Sequence, residues 1–137
     1  MKISHCQIAH ADERGIIRDI FPSRAPDSVT VITHAKGSIR GNHVHMESTQ
    51  WLYVVSGGPL LAYVRNAEHG FGVERHELYP GNLIQHDPRE QHAYQALADT
   101  IAIAFADGLR KGSDYERDTQ RVPSLVDEWH HTRGLTQ

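Results

Sequence analysis

Apolar and polar residues alternate along short stretches of this chain, and residues that turn the backbone separate the stretches. Ile101, Ile103 and Phe105, for example, alternate with Ala102, Ala104 and Ala106, which gives a strand one bulky face and one face for a tight place. The period-two pattern predicts strands over residues 2–8, 15–21, 28–34, 38–45, 50–56, 60–65, 72–79, 82–86, 91–96 and 100–106. Turn formers fill the gaps at 12–15, 22–27, 56–59, 66–70, 80–81 and 87–88. A helical period is hard to find before Pro123. Residues 124–131 predict one short helix, with Ser124 as its N-cap. The expected fold class is all-β, a sandwich or barrel with at most one short C-terminal helix.

Length changes this picture little. A chain of 137 residues makes one domain, here taken as 1–137, and can bury a core without disulfides or a structural metal. The net charge of −3 and a pI near 6.4 give no reason to expect nucleic acid or an anionic membrane as partner. Cys6 is the only cysteine, and no run has the apolar length of a signal peptide or membrane span. A cytoplasmic protein is expected.

Eleven histidines are the unusual feature of the composition. His43 and His45 stand two apart in a predicted strand, so both rings project from one face. Chance alone would supply about one such pair in a chain this rich in histidine, so its setting decides its meaning. Gly37 precedes His43 by six positions, Gln50 follows His45 by five, and Gly57 follows Gln50 by seven. The glycines can bend the chain at the ends of two paired strands, where the Gln50 side chain meets the histidines across the pair. A second block runs from Pro80-Gly81 through Asp87-Pro88 to a third inward histidine, His92.

At this point the chain resembles the cupin superfamily. Residues 37–57 read G-x5-H-x-H-x4-Q-x6-G, similar to the first cupin motif with Gln where Glu is more usual. Residues 81–92 resemble a degenerate second motif, with Asp87 and Arg89 in the places of Pro and Gly. The resemblance implies a double-stranded β-helix, the RmlC-like jelly-roll barrel. Asp12-Glu13-Arg14-Gly15, Arg40-Gly41-Asn42-His43-Val44-His45 and the stretch 114–121 narrow it to the sugar-nucleotide branch. That branch includes dTDP-4-keto-sugar 3,5-epimerases, 3,4-ketoisomerases, WxcM-like proteins and capsular polysaccharide cupins. Ketoisomerases keep both histidines, and some capsular relatives use both to hold zinc. The function implied is an isomerase or epimerase for a keto sugar or nucleotide sugar.

Two chemistries fit the residues. In one, His43, His45, His92 and the amide oxygen of Gln50 hold a divalent transition metal (Zn, Ni, Fe or Mn), all with neutral ligands. In the other, a histidine removes a proton beside a sugar ketone while Arg40, Tyr53 or Tyr94 stabilises or reprotonates the enediolate. His43, His45, Tyr53 and Tyr94 are therefore the catalytic candidates; Arg40, Asn42, Arg65 and Gln91 are the substrate-binding ones. His34 and His86 are open between structure and site, and Tyr63 reads as a core aromatic. His5, His10, His69 and His76 read as loop or edge residues, and His130 and His131 as a solvated helix end. Residues 114–121 read as a surface strand or interface element. A metal-dependent lyase, cyclase or dioxygenase, or a non-catalytic sugar-binding protein, is the alternative. A homodimer is expected, because small barrels expose sheet edges and residues 2–8 could cross to a partner sheet.

Overall fold

The computed structural model describes residues 1–66, 72–108 and 113–135. Among these residues, twelve strands and two helices form the regular structure. The strands are β1 (Lys2–His5), β2 (Ile8–Asp12), β3 (Gly15–Arg18), β4 (Ser28–His34), β5 (Ile39–His45), β6 (Thr49–Ser56), β7 (Leu60–Asn66), β8 (Glu74–Leu78), β9 (Asn82–His86), β10 (Glu90–Ala96), β11 (Thr100–Asp107) and β12 (Thr119–Arg121). The helices are α1 (Ser113–Asp118) and α2 (Leu125–Leu135). One sheet runs β1-β9-β6-β11-β4, and the facing sheet runs β12-β5-β10-β7-β8; β2 and β3 form a separate hairpin. All pairings are antiparallel.

Alternation decides which residues enter the barrel. Leu52 and Val54 of β6, Leu60, Ala62 and Val64 of β7, and Ala102 and Ala104 of β11 share the interior core with Ile84 and Leu78. Their neighbours in sequence point the other way. Leu61, Tyr63 and Ala93 form an outer cluster under α2, with Leu125 and Val126. Trp51, Tyr53 and Phe105 form another on the opposite sheet, against Cys6 and Phe21. The small residues of β11 thus face the barrel, as their volume demands.

Four expectations need correction. The fold has two helices rather than one at most, because 113–118 coils before the chain returns as β12. The stretch 114–121 is therefore no simple surface strand: β12 pairs with β5 beside the histidines. The run 2–8 breaks at Cys6, whose N–H donates to Gly81 O, so β1 pairs with β9 of its own chain and Ile8 starts the hairpin. The strand predicted over 15–21 ends at Arg18, and Phe21 folds back onto Trp51 with ring centroids 5.2 Å apart. Most of the turn predicted at 66–70, and His69 with it, lies outside the described residues. Among those described, no helix is long and apolar enough to cross a membrane.

Candidate functional site

The site begins with an irregularity in β5. His43 lies opposite His92 and Gly41 opposite Ala93, so Asn42 is an extra residue, a β-bulge. Both bulge residues have positive φ, +94° at Gly41 and +55° at Asn42. Strict alternation would put Arg40 and His43, three apart, on opposite faces. The bulge resets the phase: Arg40 lies opposite the interior Tyr94, and it lines the same cavity as His43. Its guanidinium donates to Thr33 O at 3.0 Å, bridging from β5 to the edge strand of the other sheet.

Three histidines converge at the core of the site. His43 Nε2 lies 3.0 Å from His92 Nε2, and ligand atoms of His43, His45 and His92 all lie within 4.8 Å of one another. His45 Nε2 donates to Gln50 Oε1 at 3.0 Å, but not across a strand pair as expected: β5 and β6 lie in facing sheets, and the bond crosses between them. On its far side, His45 Nδ1 meets Thr119 Oγ1 at 3.2 Å, with Asp118 Oδ2 at 3.7 Å. Asp118 is buried, and its other oxygen accepts the Glu47 N–H. His92 Nδ1 donates to Glu90 O at 3.2 Å, which fixes its tautomer and leaves Nε2 as the lone pair facing His43. The short N···N contact is therefore one shared proton, or two lone pairs that an ion would hold together.

A second buried network lies behind this cluster. Glu90 Oε1 accepts from His86 Nδ1 at 2.8 Å, so His86 Nε2 carries the lone pair and the Tyr94 hydroxyl donates to it. The other oxygen of Glu90 lies 2.6 Å from the amine of Met1. The His86 and His92 rings stack, with centroids 4.2 Å apart and planes within 8°. One residue thus organises both walls, Glu90 holding His86 by its side chain and His92 by its backbone.

These groups open on a cavity of about 550 Å³. His43, His92, Tyr94 and Gln50 form its polar wall, Ile32 and Leu52 an apolar one, and Tyr115, Arg121 and Arg40 its remaining polar lining. His45 sits deeper, under Tyr115 at 5.7 Å between ring centroids. His34 is buried on β4 and also lines the cavity.

Several sequence candidates fall elsewhere. Tyr53 points out of the opposite sheet into the Trp51 cluster, because it is one residue out of phase with the interior Leu52. Arg65 and Gln91 share the outer face of their sheet, and Arg65 is paired with Glu128 of α2. Asn42 borders the cavity, but its Oδ1 accepts the Leu125 N–H and its carbonyl the Val122 N–H, so it anchors the chain entering α2. Tyr63 is an outer core aromatic that donates to Gln95 Oε1 at 2.8 Å. Conversely, Tyr115, Asp118, Arg121 and Glu90 join the site without having been singled out. The first three come from the charged stretch 114–121, where no local pattern shows that the chain returns to β5. Glu90, an acidic residue at the first position of β10, carried no signal.

Burial shifts the protons of this interior. It pushes His92 well below the ordinary histidine value, and the neighbouring His86, His43 and His45 push the same way. His86 is lowered by burial too, partly offset by Glu90, and His34 by burial and then by Arg40. Tyr94 is held well above the ordinary phenol value by burial and by Glu90. Histidines held low in the fold bind protons mainly in the unfolded chain, so stability is complete above about pH 6.5 and falls as pH drops below it. Each fully shifted ring removes up to about 1.4 kcal/mol per pH unit over that window. Urea unfolding of EDTA-treated protein should show a flat midpoint from pH 7 to 8 and a clearly lower one at pH 5.5. An unchanged midpoint would mean the rings are not kept neutral by the fold.

No protein-family model matches the chain. No curated protein matches its sequence. Solved structures match by shape. QdtA, a sugar 3,4-ketoisomerase from Thermoanaerobacterium thermosaccharolyticum in complex with TDP, is similar at TM-score 0.70, covering 94% of this chain and 96% of that one at 16% identity. ChmJ, a 3'-monoepimerase from Streptomyces bikiniensis in complex with dTDP-quinovose, reaches 0.75 over 90% of this chain and 69% of its own at 17% identity. The capsular polysaccharide assembling protein CapF from Staphylococcus aureus gives 0.64 over 90% of this chain at 16% identity. This chain spans only 33% of that CapF chain. Together with the two facing antiparallel sheets, these likenesses establish the fold as the cupin jelly roll.

Proposed function

We propose that this protein is an isomerase or epimerase that moves a proton at the carbon next to the carbonyl of a nucleotide-linked keto sugar. The observation that carries this reading is the cavity itself, which brings the His43–His92 pair and the Tyr94 hydroxyl together. A proton removed by His43 can be shared with His92, whose ring is anchored on Glu90 O. Charge left on the ring cluster lies near the buried carboxylate of Asp118, 3.7 Å from His45. Tyr94, oriented by His86 and Glu90, can pass its proton to the enediolate and regain one from the His43–His92 pair to close the cycle, while Arg40 and Arg121 offer cations for the diphosphate. Supporting the substrate class, the similar QdtA and ChmJ structures hold TDP and dTDP-quinovose. The test is incubation with dTDP- and UDP-linked 4-keto-6-deoxy sugars in deuterated water. Deuterium should enter at C3, or at C3 and C5; folded protein that exchanges none of them defeats the reading.

The donor set also fits a divalent transition ion. Three imidazole nitrogens and the neutral amide oxygen of Gln50 suit zinc, nickel, iron or manganese better than magnesium or calcium. Glu90 O and Thr119 would fix the rings of His92 and His45 from behind, as outer partners of metal ligands do. When bound, the ion would supply Lewis-acid stabilisation of the enolate. Protein purified without added metal should carry a near-stoichiometric transition ion by mass spectrometry, and His45→Ala should lose it with its circular dichroism unchanged. Metal-free protein that cannot be loaded would leave the histidines as acid–base groups.

The expected homodimer finds support on the outer face of the β4–β11 edge. Val29 and Val31 are 62% and 69% exposed on β4, whose outer edge pairs with no strand among the described residues, and Ile101 lies beside them on β11. The hairpin adds exposed Ile8, Ile16 and Ile17. A second copy of the chain would cover this surface and cap the edge. Light scattering at micromolar concentration should report about twice 15.4 kDa, and Val31→Glu should shift it to the monomer. A wild-type monomer would overturn the dimer.

A further inference from the structure

His34 is a polar side chain with nothing to bind. It is 2% exposed, it lines the cavity, and neither ring nitrogen has a hydrogen-bond partner among the described residues. Strand alternation turns it inward with Ile32, opposite Thr100 of β11. The hydroxyl of Thr100 is already engaged, donating to Ala98 O and accepting from Gly58 N–H. Tyr94 stands edge-on to the His34 ring at 6.3 Å, and Arg40 is tied to the carbonyl of the preceding residue, Thr33. A buried polar group left unsatisfied is costly and rare, so such a group aimed into a cavity marks a place where a ligand supplies the partners.

Resting on the nucleotide-sugar reading above, we propose that His34 recognises a hydroxyl of the sugar ring, while Arg40 beside it takes the diphosphate. The chemistry separates the two tasks. Burial and the adjacent Arg40 keep the imidazole neutral, with one N–H and one lone pair. A hydroxyl, which both donates and accepts, can satisfy either nitrogen, and two vicinal hydroxyls can satisfy both. A phosphate only accepts, so it would leave the lone pair of His34 facing negative oxygens. The guanidinium of Arg40 has donors only and suits the anion. His34 is on this account a specificity residue, which sets how the sugar ring presents its carbon to His43.

Calorimetric titration of wild type, His34→Leu and His34→Gln with dTDP and with dTDP-glucose tests it. In His34→Leu, affinity for dTDP should stay within about 2-fold, while that for dTDP-glucose should fall about 10-fold, the loss of one good hydrogen bond. His34→Gln keeps a donor and an acceptor and should recover most of that loss. His34→Leu should also melt no lower than wild type, because it removes two unsatisfied polar atoms from the interior. Equal weakening of both ligands, or of neither, overturns the assignment of His34 and leaves the parent reading intact. Wild-type protein that binds neither ligand overturns both.

Discussion

Replacing His43 by Asn should cut solvent deuterium exchange into a keto-sugar nucleotide by at least about 100-fold, the usual contribution of a general base. Asn has similar bulk and keeps an N–H donor, so the β5 backbone and the bulge before it should persist. What it loses is the ring that faces the cavity and meets His92 at 3.0 Å. The defect should lie in the rate and not in binding, because the diphosphate is held by other groups; it should therefore survive saturating substrate. Arg40→Ala should behave oppositely, with a defect that shrinks as substrate is raised. Tyr53→Phe, on the outer face of the far sheet, should leave exchange unchanged. If His43→Asn exchanges at the wild-type rate, His43 is not the base, and the proton chemistry moves to the deeper His45 or elsewhere.

The contrast between Tyr53 and Tyr94 shows what could be read from the chain. Strand positions were legible because apolar alternation is a local signal, and the H-x-H pair with Gln50 was legible because all three lie close together in sequence, although β5 and β6 belong to facing sheets and their contact crosses the barrel. Gly37 and Gly57 were expected to bend the chain, and both have left-handed φ, +85° and +88°. Which face of a strand looks inward is a different matter, since it depends on phase within the whole barrel. Tyr53, Arg65 and Gln91 are each one residue out of phase with an interior neighbour, a shift that composition cannot reveal. Arg40 reaches the cavity only because the bulge resets the phase of β5. Long-range closure was the least legible. Asp118, Arg121 and Tyr115 arrive from 70 or more residues beyond β5, and Glu90 acts through a buried network with no periodicity.

The bulge predicts the second large effect. Gly41→Ala should lower the free energy of unfolding by about 2–4 kcal/mol, with an unchanged dependence on urea concentration. Gly41 has φ +94°, where a side chain is strained, and an added Cβ would stand 2.9 Å from His92 O and 3.0 Å from Ala93 Cα. Both obstacles are backbone of β10, so neither can rotate away, and the strand carrying His43 must move off the strand carrying His92. Exchange should fall with stability, because the 3.0 Å contact between the two rings spans that same pair of strands. Gly37→Ala supplies the control. Its φ of +85° is equally strained, but nothing lies within 4 Å of the added Cβ. That substitution should cost only about 1 kcal/mol and leave exchange near wild type. If the two variants lose equal stability and equal activity, close strand approach at Gly41 is not what sets the histidine pair, and the positive φ alone accounts for the glycine.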